Sequence, residues 1–241
     1  MIMSENKPLL LLIESATDCC SVALCRGNDT LDEIFEDRPR TQAALLAPMV
    51  EQLLVRNSLS LKDCDAVAIS EGPGSYTGLR VGLSLAKGLC YGAGKPLIAV
   101  NTLAAMAQCA ADTLEAGSMN DAAVVIPMID ARRMEVYSAV FTPDGRTLAA
   151  TEAKVLDSSS YQEYMNKSIF FTGDGSEKFR KLLEDEGRLD ERIVFIDARL
   201  KASGMRIAAS KAYAESDFKD VAYFEPFYLK DFVAGKPKKL L

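Results

Sequence analysis

The strongest constraint on the fold is that the chain runs twice through the same order of predicted strands and helices. In the first half, three strand-length apolar runs precede alternating helices and strands, at residues 9–13, 21–25, 30–35, 41–56, 66–70, 76–91, 97–100 and 102–114. The same order recurs at residues 123–129, 134–141, 148–156, 158–165, 169–172, 176–186, 193–196 and 203–215. The two halves share little sequence, so the pattern indicates a duplication of structure.

Three meander strands followed by alternating helices and strands predict a mixed sheet that helices cover on both faces. Two such units, with a cleft between them, predict a duplicated α/β fold of the actin-like, sugar-kinase-like (ribonuclease H-like) class, each lobe of βββαβα type. We expect residues 1–115 to form the N-terminal lobe and residues 116–215 the C-terminal lobe. The segment 216–241 is expected to pack back on the first lobe.

The chain of 241 residues contains no histidine, which removes the commonest general base and the commonest transition-metal ligand. Ser-His and Cys-His hydrolase mechanisms are thereby excluded, and the sequence assigns no catalytic or metal-ligating residue. A net charge of −6 disfavours sequence-independent nucleic-acid binding by the isolated chain. Any RNA role is therefore expected to be exercised mainly through a partner.

Cysteine usage and hydropathy predict a cytoplasmic protein. The six cysteines include no CxxC pair, as is typical of reduced, buried thiols. The apolar run at residues 9–13 is too short for a signal-peptide core or a membrane span, so no membrane partner is expected.

A glycine-rich helix follows the predicted strand at residues 66–70. Glycine and proline at 72–74 stop the strand, and Ser75 stands where an N-cap belongs. The turn lacks both phosphate-binding fingerprints, since its spacing is GxGxxxG and no Gly-Lys pair follows. Small residues then recur every four positions along the helix, at Gly78, Gly82 and Ala86. Such a stripe allows another backbone to approach closely, either from the chain's own sheet or from another chain.

Two helices, at 41–56 and 76–91, are apolar over more of their circumference than packing on one sheet requires. Together they would present leucine and methionine beside small residues, which suits helix-on-helix docking. The residues predicted to contact a partner are Leu45, Met49, Leu53, Ser75, Tyr76, Gly78, Leu79, Gly82, Leu83 and Ala86. A purely internal core role for these helices is the alternative.

The turn of the first hairpin in each lobe is expected to face the cleft. These turns contain Glu14 and Ser15 in the first lobe, and Asp130 and Arg132 in the second. A carboxylate from each lobe could orient a metal-bound nucleotide, which makes the four residues a candidate vestigial nucleotide site. Local turn hydrogen bonds and a structural ion pair are the alternative roles.

Three segments carry a family resemblance: GPGSYTGLR at 72–80, DARR at 130–133 and PFYL at 226–229. They resemble the TsaB family, also called YeaZ, from the first strand to the tail. The resemblance implies a non-catalytic scaffold subunit that supports threonylcarbamoyl transfer to N6 of adenosine 37 in tRNAs. It implies pairing with TsaD, the catalytic paralogue that holds metal, and with TsaE, a regulatory ATPase. It also implies a homodimer when the chain is alone, no cofactor of its own, and ATP or ADP at the junction with the partner complex.

Two departures from the family pattern weaken the nucleotide site. Glu14 stands where family members usually have Asp. Gln42 stands where they have His, near the start of the helix at 41–56, in which Pro48 predicts a kink. The alternative function is an ATP-dependent phosphotransferase of the same fold that uses Glu14 and Asp130. A peptidase would lack both a histidine base and a zinc site. A bulky residue at Gly82 is expected to abolish pairing with TsaD and to leave the isolated fold largely intact.

Overall fold

The structure, a computed structural model, describes residues 7–114 and 123–230. Its first half forms a five-stranded sheet in the order β3-β2-β1-β4-β5. The strands are β1 (Leu9–Glu14), β2 (Cys20–Arg26), β3 (Asp29–Glu36), β4 (Ala66–Gly72) and β5 (Leu97–Asn101). Strands β1 to β3 are antiparallel, whereas β4 runs parallel to β1 and β5 parallel to β4. The helices are α1 (Gln42–Arg56), α2 (Tyr76–Ala93) and α3 (Thr102–Thr113).

The second half repeats this topology, with strand order β8-β7-β6-β9-β10. Its elements are β6 (Ala123–Asp130), β7 (Glu135–Phe141), β8 (Thr147–Val155), β9 (Ser168–Thr172), α4 (Ser176–Asp185), β10 (Ile193–Ile196) and α5 (Arg206–Ala214). Again three antiparallel strands are followed by two that run parallel to the first. The predicted fold class, a duplicated actin-like arrangement of two mixed sheets, is confirmed.

The prediction of a helix at 158–165 is wrong. This segment forms only a 3₁₀ turn at Gln162–Tyr164. The carboxylate of Asp157 accepts from the Ser159 amide (2.9 Å) and hydroxyl (2.7 Å), and Tyr161 adopts a left-handed φ of 64°. Short polar side chains that bind their neighbouring backbone favour a turn over a helix.

The sheets pack through helices on both sides. Helices α1 and α2 cover the outer face of the first sheet, over a core that includes Leu11, Leu53 and Ile69. Helix α3 lies between the sheets, and one apolar cluster extends from Leu12 in β1 to Phe170 in β9. The two lobes therefore share a core. None of the described helices is both long and apolar enough to cross a membrane.

The last helix departs from the predicted lobe assignment. Residues 116–215 were assigned to the second lobe, but the 3₁₀ turn Ala202–Met205 and α5 pack on the first sheet. The Ala202 amide donates to the Ser21 hydroxyl (2.7 Å), and the amide and hydroxyl of Ser203 both donate to the Glu33 carboxylate (2.9 Å each). The acceptors Ser21 and Glu33 lie on β2 and β3 of the first sheet, so these hydrogen bonds hold the end of the second half against the first lobe. The predicted boundary at 115/116 lies outside the described residues.

The segment after α5 continues along the first lobe before it reaches the second. The amide of Lys219 donates to the Leu97 carbonyl (2.8 Å), and the amide of Phe227 donates to the Glu71 carbonyl (2.7 Å). Lys230 then forms an ion pair with Glu135 of β7. Residues 231–241 of the predicted tail lie outside the described residues.

Candidate functional site: the interlobe cleft and the glycine helix

The turn between β4 and α2 holds the first hairpin turn in place. The Ser75 hydroxyl accepts from the Gly78 amide (3.3 Å), which confirms the predicted N-cap. The Ser75 amide donates to the Ala16 carbonyl (2.6 Å). The start of α2 is thus bonded directly to the turn that follows β1.

The small-residue stripe of α2 contacts the chain itself. The Ser15 hydroxyl donates to the Gly78 carbonyl (2.9 Å). A Cβ atom at Gly78 would overlap the Ser15 carbonyl oxygen, and one at Gly82 would overlap the Ser15 hydroxyl. The close approach that the stripe allows is therefore made by the chain's own β1–β2 turn, which is the first of the two predicted alternatives.

Glu14 and Ser15, predicted to face the cleft, are both buried within the first lobe. One Glu14 carboxylate oxygen accepts from the Ala16 amide (2.6 Å), and the other has no hydrogen-bond partner among the described residues. Burial raises the pKa of Glu14 to about 7, and the hydrogen bond from Ala16 opposes that rise. Neither residue lines either of the two cleft cavities described below, and their part in a nucleotide site stays a prediction.

The cleft holds a cavity of about 700 Å³ between the lobes. Its walls are the turn after β1, the start of α4, and the strand β10 with the loop that follows it; charged lining residues include Asp18, Asp130, Asp174, Glu177, Arg180, Asp197 and Arg199. The Asp130 carboxylate forms an ion pair with Lys178 (3.2 Å) and accepts from the Arg132 amide (2.5 Å). Asp130 faces the cleft as predicted, already engaged by a cation of its own lobe.

Asp174 is a cleft residue that the sequence analysis missed. Its carboxylate accepts from the Asp130 amide (2.9 Å), and burial raises its pKa. The signal was the Gly173-Asp174-Gly175 turn after β9, at the place in the second half that the Gly-Pro-Gly turn occupies in the first. In the first lobe the hairpin turn is bonded through the Ser75 amide, and in the second lobe through the Asp174 carboxylate at the equivalent place in the fold.

A second cavity of about 450 Å³ lies between the first turn of α2, the β6–β7 turn and residues 227–230. Arg132, the fourth predicted nucleotide-site residue, lines this cavity. At its edge the Arg80 guanidinium lies 4.1 Å from the centre of the Tyr76 ring and donates to the Tyr228 hydroxyl (3.0 Å). These contacts attach the C-terminal segment to α2.

The predicted partner-contact residues are mostly inside the chain. Leu45 and Tyr76 are half-buried, and Ser75 is exposed. The remaining seven are buried: Met49, Leu53, Gly78, Leu79, Gly82, Leu83 and Ala86. Their side chains fill the first lobe's own core and the space beside Ser15, so the outward surface of the two helices consists of other residues. Among the described residues no three histidine, cysteine, aspartate or glutamate side chains form a group that could hold a metal ion.

Two duplicated sheets around a cleft, with the first hairpin turn held against a glycine helix, define a protein of the actin-like class. Comparison with known proteins narrows the class. Residues 36–237 match the family model described as "TsaD: tRNA N6-adenosine threonylcarbamoyltransferase". The chain is 36% identical over 234 residues to the tRNA threonylcarbamoyladenosine biosynthesis protein TsaB of Escherichia coli K12, covering 94% of this chain and 96% of that one. It is 42% identical over 129 residues to the TsaB of Haemophilus influenzae, covering 53% and 51% of the two chains.

A solved structure named YeaZ, from Pseudomonas aeruginosa, matches with a TM-score of 0.70 at 27% identity, covering 92% of this chain and 100% of that chain. The chain belongs to the TsaB (YeaZ) family.

Proposed function

We propose that this chain is a non-catalytic subunit in the biosynthesis of tRNA threonylcarbamoyladenosine. It pairs with a TsaD-type catalytic subunit, with TsaE as the regulatory ATPase, and supports threonylcarbamoyl transfer to N6 of adenosine 37. The observation that carries the proposal is the state of the cleft: Glu14 and Ser15 are buried and Asp130 is paired with Lys178. The chain has no histidine, which agrees with a subunit that leaves the chemistry to its paralogue.

The partner-docking face is assigned to the outward side of α1 and α2. This face combines small residues with two large exposed side chains, and includes Ala44, Ala47, Val55, Ser84, Gly88 and Tyr91. The exposed charged residues Glu51 and Arg80 lie on the same sides of the two helices. The side chains of Tyr91 and Val55 are 87% and 70% exposed. Small residues let a partner helix approach closely, and an exposed tyrosine is a common anchor at interfaces. We expect the same face to pair two copies when the chain is alone.

Gly88→Arg is expected to weaken binding to TsaD at least tenfold, because a long charged side chain would be buried where close packing is needed. The fold should survive, since a Cβ at Gly88 meets no atom within 4 Å. Isothermal titration calorimetry with TsaD from the same organism measures the loss. Ala214→Arg, on the exposed end of α5, is the matched control and should bind like the wild type. Equal affinity of both variants would rule out this docking face.

The catalytic assignment is tested by phosphate release from Mg-ATP. The proposal expects no turnover by the chain alone, and tRNA modification only with TsaD and TsaE present. ATP or ADP is expected at the junction between the chain and its partners. A phosphotransferase would instead turn over ATP alone and lose that activity in Asp130→Ala. Such a result would refute the non-catalytic role.

A further inference from the structure

We infer that the rim of the smaller cavity, centred on Arg132 and Arg133, contacts single-stranded RNA directly, with Phe227 as a stacking platform for one base. The inference deepens the proposed function by naming an RNA contact on this chain, but the binding does not require TsaD. It stands on three features of the described residues: unpaired guanidinium groups, neutralised carboxylates and an exposed aromatic ring.

Two adjacent arginines are held outward in the β6–β7 turn. Arg132 and Arg133 both adopt left-handed backbone conformations, with φ of 70° and 49°. Both are exposed, and neither guanidinium has a hydrogen-bond or ion-pair partner in the described parts of the chain. Both residues belong to the tight β6–β7 hairpin, in which the Glu135 amide donates to the Arg132 carbonyl (3.1 Å), and positive φ is usual in such turns.

The inner side of the same turn is already neutralised. Lys178 forms an ion pair with Asp130 (3.2 Å) and donates to the carbonyls of Arg133 (2.9 Å) and Glu135 (2.6 Å). Glu135 is in turn paired with Lys230. Asp130 and Glu135 therefore have cations of their own, and the neighbouring Asp174 carboxylate is bonded to the Asp130 amide (2.9 Å). Neither arginine is paired with any of the three, so both guanidinium groups are open to an external anion. Isolated guanidinium groups of this kind suit phosphate oxygens.

The aromatic side of the rim distinguishes RNA loops from other polyanions. Phe227 lines the cavity of about 450 Å³ together with Arg132, and its side chain is 42% exposed. Its backbone is fixed by the bond to Glu71 (2.7 Å), so the ring is presented from a rigid position. Unpaired bases of RNA loops stack on such rings while arginines hold the adjacent phosphates. Arg80 is left out of the assignment, because it is engaged by Tyr228 and lies near Glu225.

The test is fluorescence anisotropy of a labelled anticodon stem-loop RNA with the isolated full chain, between about 50 and 200 mM salt. The double variant Arg132→Gln with Arg133→Gln should bind roughly five- to tenfold more weakly at the lower salt. The slope of the logarithm of the binding constant against the logarithm of the salt concentration should become less steep by about 1.4, or about 0.7 for each lost phosphate contact. Phe227→Leu should weaken binding about fivefold without changing the salt dependence, because stacking releases no counterions.

The matched control removes the same charge elsewhere. Arg26→Gln with Arg188→Gln changes two exposed arginines, one at the end of β2 and one in the loop after α4, neither of which lines a cleft cavity. This control should bind like the wild type. Melting temperatures confirm that all variants fold.

Three outcomes would overturn the inference. They are no saturable binding at the lower salt, equal losses in the double variant and its control, or complete displacement of RNA by stoichiometric ATP. The last would identify the cavity as a mononucleotide site. Loss of TsaD binding alone would leave the RNA contact standing.

Discussion

Gly78→Ala is expected to destabilise the fold by about 2–3 kcal/mol, although alanine is the better helix former by about 1 kcal/mol. The added methyl would overlap the carbonyl oxygen of Ser15, a backbone atom that cannot move without shifting the β1–β2 turn. Gly88→Ala in the same helix is the matched control. No atom lies within 4 Å of its added Cβ, so it should stabilise the fold by about 0.5–1 kcal/mol. Urea unfolding measures both changes.

The opposite signs of these two changes are the informative part. If both glycines responded alike, helix propensity would govern α2 and the contact with Ser15 would be unimportant. The same contact corrects the expectation for Gly82, where a bulky residue was predicted to spare the isolated fold. Gly82 faces the Ser15 hydroxyl, so a large side chain there should unfold the turn as well as disturb any partner.

Glu14→Gln is expected to change the pH dependence of stability by about 3 kcal/mol, the free energy that corresponds to moving a carboxyl pKa from 4.5 to about 7. The folded state holds the proton more tightly than the unfolded state. The protonated carboxyl's contribution is therefore fully present below pH 4.5 and is lost as the pH rises through about 7. The variant should match the wild type near pH 4 and exceed its stability by about 3 kcal/mol near pH 8.

Unfolding free energies from urea titrations across this range check the prediction. Other carboxyls with raised pKa, including Glu71 and Asp174, titrate in both proteins, so the difference between wild type and variant isolates Glu14. A constant difference across the range would show that the pKa of Glu14 is the same in the folded and unfolded states, which would contradict the prediction. Tests of Gln against Asp at this position would then separate charge from packing.

The fold was largely predictable because its strands are buried and its duplication is visible as a repeated order. Runs such as residues 9–13 are apolar on both faces, which only strands between helical layers need. The helix predicted at 158–165 was wrong because the pattern of the segment fits a weak helix, whereas the Ser159 amide donates a hydrogen bond to the Asp157 carboxylate and favours a turn. Such turn chemistry depends on side-chain geometry that periodicity does not report.

The candidate site was less predictable because its contacts are long-range. The sequence indicates that Gly78 and Gly82 lie on a shallow stripe, but it does not say which backbone fills that stripe. Turn position alone likewise suggested that Glu14 lines the cleft, whereas it lies on the same face of β1 as Leu12 and is buried in the layer between the sheets. Asp130 faces the cleft, as its turn position predicted, but its ion pair with Lys178, forty-eight positions away, is a contact that no local pattern reveals.

Helix α3 decides how independent the two halves can be. Its buried residues include Leu103, Met106 and Cys109, and they belong to a cluster that draws on both sheets. A rotation of the two lobes that opened the cleft would expose part of this cluster to water. The free-energy cost would be about 25 cal/mol for each Å² of apolar surface exposed. We therefore expect the cleft to resist opening. Either half expressed alone would carry one uncovered apolar side, and the two fragments are expected to remain in solution only when they are produced together.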